Sequence, residues 1–302
     1  MFNRLSAHSR AILQALLVTF LWSTSIILIK FGLEDIPALT FAGLRYTLAS
    51  FCLIPFAWRS IEPKTLRQLS PHHWLQFLLL GIVFYAVTQG TGFLSLALLP
   101  VVTINLLLSL TPVVVALLSI PLLREQSTGT QWIGITLAVV GAIVFFYPVS
   151  LPSQQLVGVF VAVTSLLANA FSAILGRQVN RGLLLPPVAI TIITMGIGGL
   201  ALLITGIATQ GLPPLNWVSW AIVGWLAVVN SAFAHTLWNR TLQTLSAMES
   251  STVQNSMMLQ IPILAVIFLG EWVSIQELLG MVVAGIGILL AQSHKKAIAK
   301  KN

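Results

Sequence analysis

Ten apolar stretches follow one another along the 302 residues, each near the about 20 residues that a helix needs to cross a bilayer, with short polar or proline-marked breaks between them. They predict membrane spans at 11–31, 36–58, 74–95, 101–121, 130–148, 156–177, 186–206, 218–240, 247–269 and 275–292. The breaks carry helix-start chemistry. Ser70-Pro71 supplies an N-cap and a first-turn proline ahead of the third span. Thr128-Gly129-Thr130-Gln131, Ser246-Ala247-Met248-Glu249 and Ser274-Ile275-Gln276-Glu277 are capping-box patterns before the fifth, ninth and tenth spans. The stretch Pro148 to Gln155 reads as a linker between two halves.

Those halves are copies of each other. Glu125, Gly134, Ala138 and Gly141 recur as Glu271, Gly280, Ala284 and Gly287 at one constant offset, and Leu96 and Leu99 recur at that offset as Leu242 and Leu245. Ala15, Ser25 and Leu28 match Ala162, Ser172 and Leu175 one residue further on, with Lys30 opposite Arg177. Five spans per copy is an odd number, so the second copy must enter the membrane from the opposite side. That is the inverted repeat found in many secondary transporters. The small residues at helical spacing, Gly134, Ala138 and Gly141 with their counterparts, let two helices approach closely in lipid. Spans five and ten are accordingly expected to pack together, away from any substrate.

Composition sets the class: 57% of residues are hydrophobic and 7% charged, against roughly 25% charged in soluble domains. Charge placement sets the orientation. Arg4 and Arg10, then Arg59, Lys64 and Arg67, then Arg124, Arg177 and Arg181, Arg240, and finally Lys295, Lys296, Lys300 and Lys301 all fall on one face of a ten-span arrangement. The opposite face has only Lys30 near it, and Arg45 lies inside span two. By the positive-inside rule both termini are cytoplasmic. The net charge of +8 is thereby explained without nucleic acid. The first apolar run is long and lacks a small-residue exit, so it reads as a retained helix.

The sequence has no H-E-x-x-H, no G-x-S-x-G and no Cys/His ligand set, so neither an enzyme, a metal site nor a cofactor is expected. Cys52 is alone and cannot form an intramolecular disulfide. Polar groups near the bilayer midplane say more, since each must find a protein partner or line water. At about 1.5 Å per residue, these are Trp22 to Ser25, Tyr85, Ser109 to Pro112, Ser165 to Asn169, Asn230 and Ser231, and Gln254 to Met258. They predict a central substrate cavity lined by spans one, three, four, six, eight and nine. Its faces are Trp22/Ser25, Tyr85/Gln89, Asn105/Ser109, Asn169, Asn230/His235 and Gln254/Asn255. A single serine or threonine can instead bond back to its own helix.

His235 stands where the first copy has Gln89, and is the one intramembrane group that ordinarily titrates near neutrality. It either relays a proton or rests as a neutral histidine bonded to a neighbour. Arg45, nine residues into span two, reads as structural, leaving a cavity without fixed charge that suits zwitterionic or neutral cargo. Glu249 is accounted for by its capping box. Pro112 should bend span four and Pro262 span nine, giving a gate something to flex around.

Leu21-Trp22-Ser23 with Lys30, Ala42-Gly43-Leu44-Arg45, Thr111-Pro112 and Leu269-Gly270-Glu271, taken with the repeat and the charge pattern, resemble the EamA-like family of the drug/metabolite transporter superfamily. The resemblance covers the two repeats, 11–148 and 156–293, and leaves a basic cytoplasmic tail at 294–302. It implies ten helices in two inverted repeats, alternating access, and export of small metabolites, amino acids or drugs, often coupled to protons. Some positions depart from the family pattern. Arg124-Glu125 replaces a usual Gly-Glu, Ser23-Thr24 replaces a common glycine, and Met258 stands at the equivalent of Pro112, with Pro262 one turn later.

The sequence thus predicts an all-α polytopic secondary transporter of the bacterial inner membrane, acting as monomer or homodimer on a small amphipathic or zwitterionic metabolite. The alternative is a non-transporting membrane sensor or assembly factor on the same scaffold, against which the short connections count.

Overall fold

The computed structural model describes residues 6–57, 66, 68–123, 128–147, 153–180, 185–241, 244–245 and 253–292. Most of the predicted cytoplasmic charges, the linker at 148–152, the capping box Ser246 to Glu249 and the basic tail lie outside the described residues. Ten apolar helices follow in order: α1 (Ala7–Gly32), α2 (Ala38–Ala57), α3 (Pro71–Leu98), α4 (Val101–Ser109, then Thr111–Leu123) and α5 (Gly129–Phe146). The second half holds α6 (Ser153–Asn180), α7 (Pro187–Gln210), α8 (Trp217–Trp225, Leu226–Phe233, Ala234–Thr241), α9 (Val253–Leu269) and α10 (Ile275–Ala291).

The caps are where the sequence places them. Thr128 Oγ1 accepts from Gln131 N at 3.3 Å while Gln131 Oε1 accepts from Thr128 N at 2.8 Å, closing the box at the start of α5. Ser274 and Glu277 do the same at α10, at 3.2 and 2.7 Å. At α3 the partner of Ser70 is His73, whose Nδ1 accepts from Ser70 N at 3.2 Å.

Helix packing repeats under exchange of the halves. α1 packs on α8 and α9 as α6 packs on α3 and α4, and α2 meets α8 as α7 meets α3. The pairs α2/α7, α4/α9 and α5/α10 bridge the repeats themselves. This is the signature of two inverted five-helix units. The α5/α10 seam is backbone against backbone. A Cβ on Gly141 would lie 2.3 Å from Ala284 N, and one on Gly287 2.3 Å from Ala138 N. α2/α7 is as close, with a Cβ on Gly43 2.4 Å from Leu203 Cα. With lipid as the competing apolar phase, such contact is what holds helices together.

One feature was invisible in the residue pattern. α3 and α8 are each wound as a π-helix for eight residues, Gly81–Thr88 and Leu226–Phe233, at corresponding places in the two copies. π-turns widen the helix and turn side chains, and they concentrate at functional sites. α4 breaks at Leu110, two residues before Pro112, as the proline predicts.

Candidate functional site

The two π-helical segments carry Tyr85 and Asn230-Ser231 into the core, and four helices converge around them. From α1, Trp22 Nε1 donates to the Asn230 carbonyl at 3.2 Å, and Asn230 Nδ2 donates to the Leu21 carbonyl in return. His235, one turn along α8, places Nδ1 2.8 Å from the Ser231 carbonyl and its ring 5.3 Å from that of Trp22. Only a protonated Nδ1 can bond to a carbonyl, which leaves Nε2 as an acceptor. From α2, Arg45 Nε donates to Ser231 Oγ at 3.2 Å, and Tyr46 Oη donates to Gln89 Oε1 at 2.7 Å. The Tyr46 and Tyr85 rings meet edge to face at 5.5 Å.

Two members of this group come from α2, a helix outside the expected lining, and one of them, Arg45, brings a fixed charge. Arg45 is only 5% exposed. The signal available in the sequence was an arginine inside a span with no carboxylate at the centre of any span to neutralise it.

A second group lies around the break in α4. Pro112 and Pro262 each lack the N–H that would bond four residues back, freeing the carbonyls of Leu108 and Met258. Thr111 Oγ1 donates to the first at 2.7 Å, and Asn105 Nδ2 to the second at 3.2 Å. Asn169 Nδ2 reaches Thr111 Oγ1 at 3.4 Å from α6, and Ser109 bonds back to the Asn105 carbonyl. Ser25 is buried in α1.

Two expected members stand elsewhere. Asn255 donates to Gln292 Oε1 at 3.1 Å, just past the cytoplasmic end of α10, and Gln254 is exposed. Deeper in α9 the structure presents Gln260, absent from the sequence reading. It accepts from Ser23 Oγ at 2.9 Å and donates to Ser256 and Thr19. Nor does Pro262 break α9, which turns irregular at Ser256 and continues through the proline as Met257–Leu269. A separate apolar groove of about 630 Å³ runs between α1, α8 and α9, walled by Phe20, Phe31, Trp225 and Phe268.

The face assigned to the outside is tied by two charges. Lys30 Nζ, at the end of α1, donates to the last carbonyls of α3, Leu96 at 2.6 Å and Leu99 at 2.9 Å. Glu271 accepts from the first N–H groups of α4, Val101 at 2.7 Å and Val102 at 3.0 Å. These are orphan groups at helix ends, and each charge has the sign its helix dipole favours. Gly270, at φ 65°, makes the left-handed turn that brings Glu271 there.

The family model for EamA-like transporters matches residues 9–147 and again 156–292. The chain belongs to the EamA-like transporter family. Relatives of this EamA-like protein include the uncharacterized transporter YyaM of Bacillus subtilis, 22% identical over 83% of each chain. Another, the uncharacterized transporter YvbV of the same organism, is 25% identical over 94% of this chain and 92% of its own. A probable amino-acid metabolite efflux pump of Escherichia coli is 30% identical over 55% of this chain and 52% of its own. A solved structure described only as "Crystal structure of protein" shares the fold, with a TM-score of 0.67 over 95% of this chain and 98% of that one at 17% identity. The EamA-like protein is therefore a multi-pass transporter of the cell membrane that acts on a small molecule.

Proposed function

We propose that this transporter exports a small amphipathic or zwitterionic metabolite, of the amino-acid kind, by alternating access of its two inverted halves. The observation that carries the reading is the buried polar group in which α1 and α2 of one repeat bond to the π-helical segment of α8 in the other. Rocking of the halves changes those bonds, so a molecule held there is coupled to the motion. Binding falls to Trp22, Ser25, Tyr85, Gln89, Asn230 and His235, with Asn105, Ser109 and Asn169 lining the approach at the α4 break. Pro112 and Pro262 flank the moving segments. Gln254 and Asn255 drop out, because Asn255 is engaged with the end of α10. The efflux-pump relative supports the cargo class. One chain completes the site, so a monomer suffices.

In this reading His235 carries the coupling proton, on the Nε2 that its Ser231 bond leaves free. Purified protein in liposomes loaded with amino acids tests both points. Export is expected above that of empty liposomes, faster with the receiving side acidic. His235→Asn should remove the acceleration and leave gradient-independent exchange. Flux no greater than in empty liposomes would sink the transport reading, and full acceleration in the variant would acquit His235.

A further inference from the structure

We propose that Arg45 is the docking point for a carboxylate on the cargo, which makes the substrate class a small carboxylic acid with an amine or amide beside it. The inference rests on the transport reading above and narrows it. A guanidinium inside a membrane span is costly unless a counter-charge meets it. Arg45 is 5% exposed, and its known partners are one hydroxyl, Ser231 Oγ at 3.2 Å, and the faces of Tyr46 and Phe93 at 5.2 and 6.0 Å from the ring centroids. These compensate in part. No carboxylate among the described residues does the rest. Glu271 is bonded to the start of α4 and Glu277 to that of α10, while Asp35 accepts from Asn216 and Ser219 in the outer connections and Glu34 is exposed beside it. Glu62, Glu125 and Glu249 lie outside the described residues; by sequence the first two fall at connections and Glu249 in the first turn of span nine, none within a central stretch.

The bond to Ser231 uses Nε alone, and among the described residues no hydrogen bond is recorded for the two terminal nitrogens. That pair is the fork that grips a carboxylate through two parallel bonds. A second observation points to the same ligand. Asn230 Oδ1, on the residue next to Ser231, is buried without a partner. The orphan acceptor and the hydroxyl that holds the guanidinium thus belong to neighbouring positions on the same turn of α8, and a molecule bearing a donor next to its carboxylate, as an α-amino acid does, would answer both. The other buried atom without a partner, Thr47 Oγ1, lies against the α7 backbone near Gly199, where no ligand fits between the helices.

Liposome flux and intrinsic tryptophan fluorescence test this with three matched series: amino acids such as leucine and phenylalanine, their carboxamides, and the amines that remain after removal of the carboxyl group. The wild-type protein should favour acid over amide by about 10- to 100-fold, the range for a charged hydrogen bond. Arg45→Gln should bring the acid down to the amide level while amide flux persists, showing that the protein is folded, and Arg45→Lys should fall between. Equal handling of acid and amide by the wild type, or an unchanged preference in Arg45→Gln, would overturn the proposal and leave the transporter reading standing. No flux from any series in the wild type would overturn the transport reading itself.

Discussion

α5 with α10 and α3 with α8 are both pairs related by the internal repeat, yet duplication preserved different things in them. In α5/α10 the residues themselves recur, Gly134, Ala138 and Gly141 against Gly280, Ala284 and Gly287, because backbones touch and no side chain fits. In α3/α8 the backbone shape recurs as two π-helical segments while the residues diverge, Tyr85 opposite Ser231 and Gln89 opposite His235. Where contact is between main chains, symmetry constrains sequence. Where a widened helix leaves room for side chains, the two copies have been free to build one asymmetric site.

The largest effect expected is at the seam. Gly141→Val or Gly287→Val would drive the two backbones apart at a cost of about 3 kcal/mol, the upper end for overpacking, and the two should be equally damaging. Gly129→Ala, whose Cβ meets nothing within 4 Å, should be silent. Thermal unfolding in detergent reads all three, and tolerance of Val at either seam position would dissolve the contrast. Next in size, Tyr85→Leu, Asn169→Leu and Asn230→Leu should cut flux by about tenfold or more without shifting the unfolding temperature as the seam variants do. Normal transport in all three would remove the π-helical segments from the site.

The smallest effect separates the site's own scaffold from its chemistry. Asn105→Ala leaves the Met258 carbonyl without a donor, worth about 1–2 kcal/mol, whereas adding Pro262→Ala restores a main-chain N–H to that carbonyl. Stability should fall in the single variant and recover in the double. If the second change adds damage instead, Asn105 is not substituting for the proline's missing donor.

Much of this was legible in the residues. Span positions, the caps at Thr128 and Ser274 and the α5/α10 pairing follow from local pattern, since hydropathy, capping and small-residue spacing act within a turn or two. Trp22, Asn230 and His235 were identifiable as polar groups that lipid would not tolerate. What stayed hidden depends on distant partners. Glu271 was visible as part of a motif, but its cap on Val101 and Val102 joins residues from opposite repeats. The π-winding is a backbone state with no periodic mark of its own. Gln260 lies near mid-depth because α9 is helical from Val253, whereas the apolar run suggests a start at 247, a shift that also moves Asn255 to the helix end. The consequence of Arg45 lies in what α8 offers and in what no described acidic residue supplies.

The outer tie of Lys30 and Glu271 has an electrical consequence. A unit charge crossing the whole membrane field is worth about 2.3 kcal/mol per 100 mV, enough to let voltage drive a gate. Here one cation and one anion sit at the same end of the molecule, on adjoining helix termini of α3 and α4. Lys30 belongs to the first repeat and Glu271 to the second, so in the proposed rocking the cation stays with one half while the anion leaves with the other. Opposite charges displaced in opposite senses along the field add their effects, so the outer closure is a place where the membrane potential can act on the proposed motion.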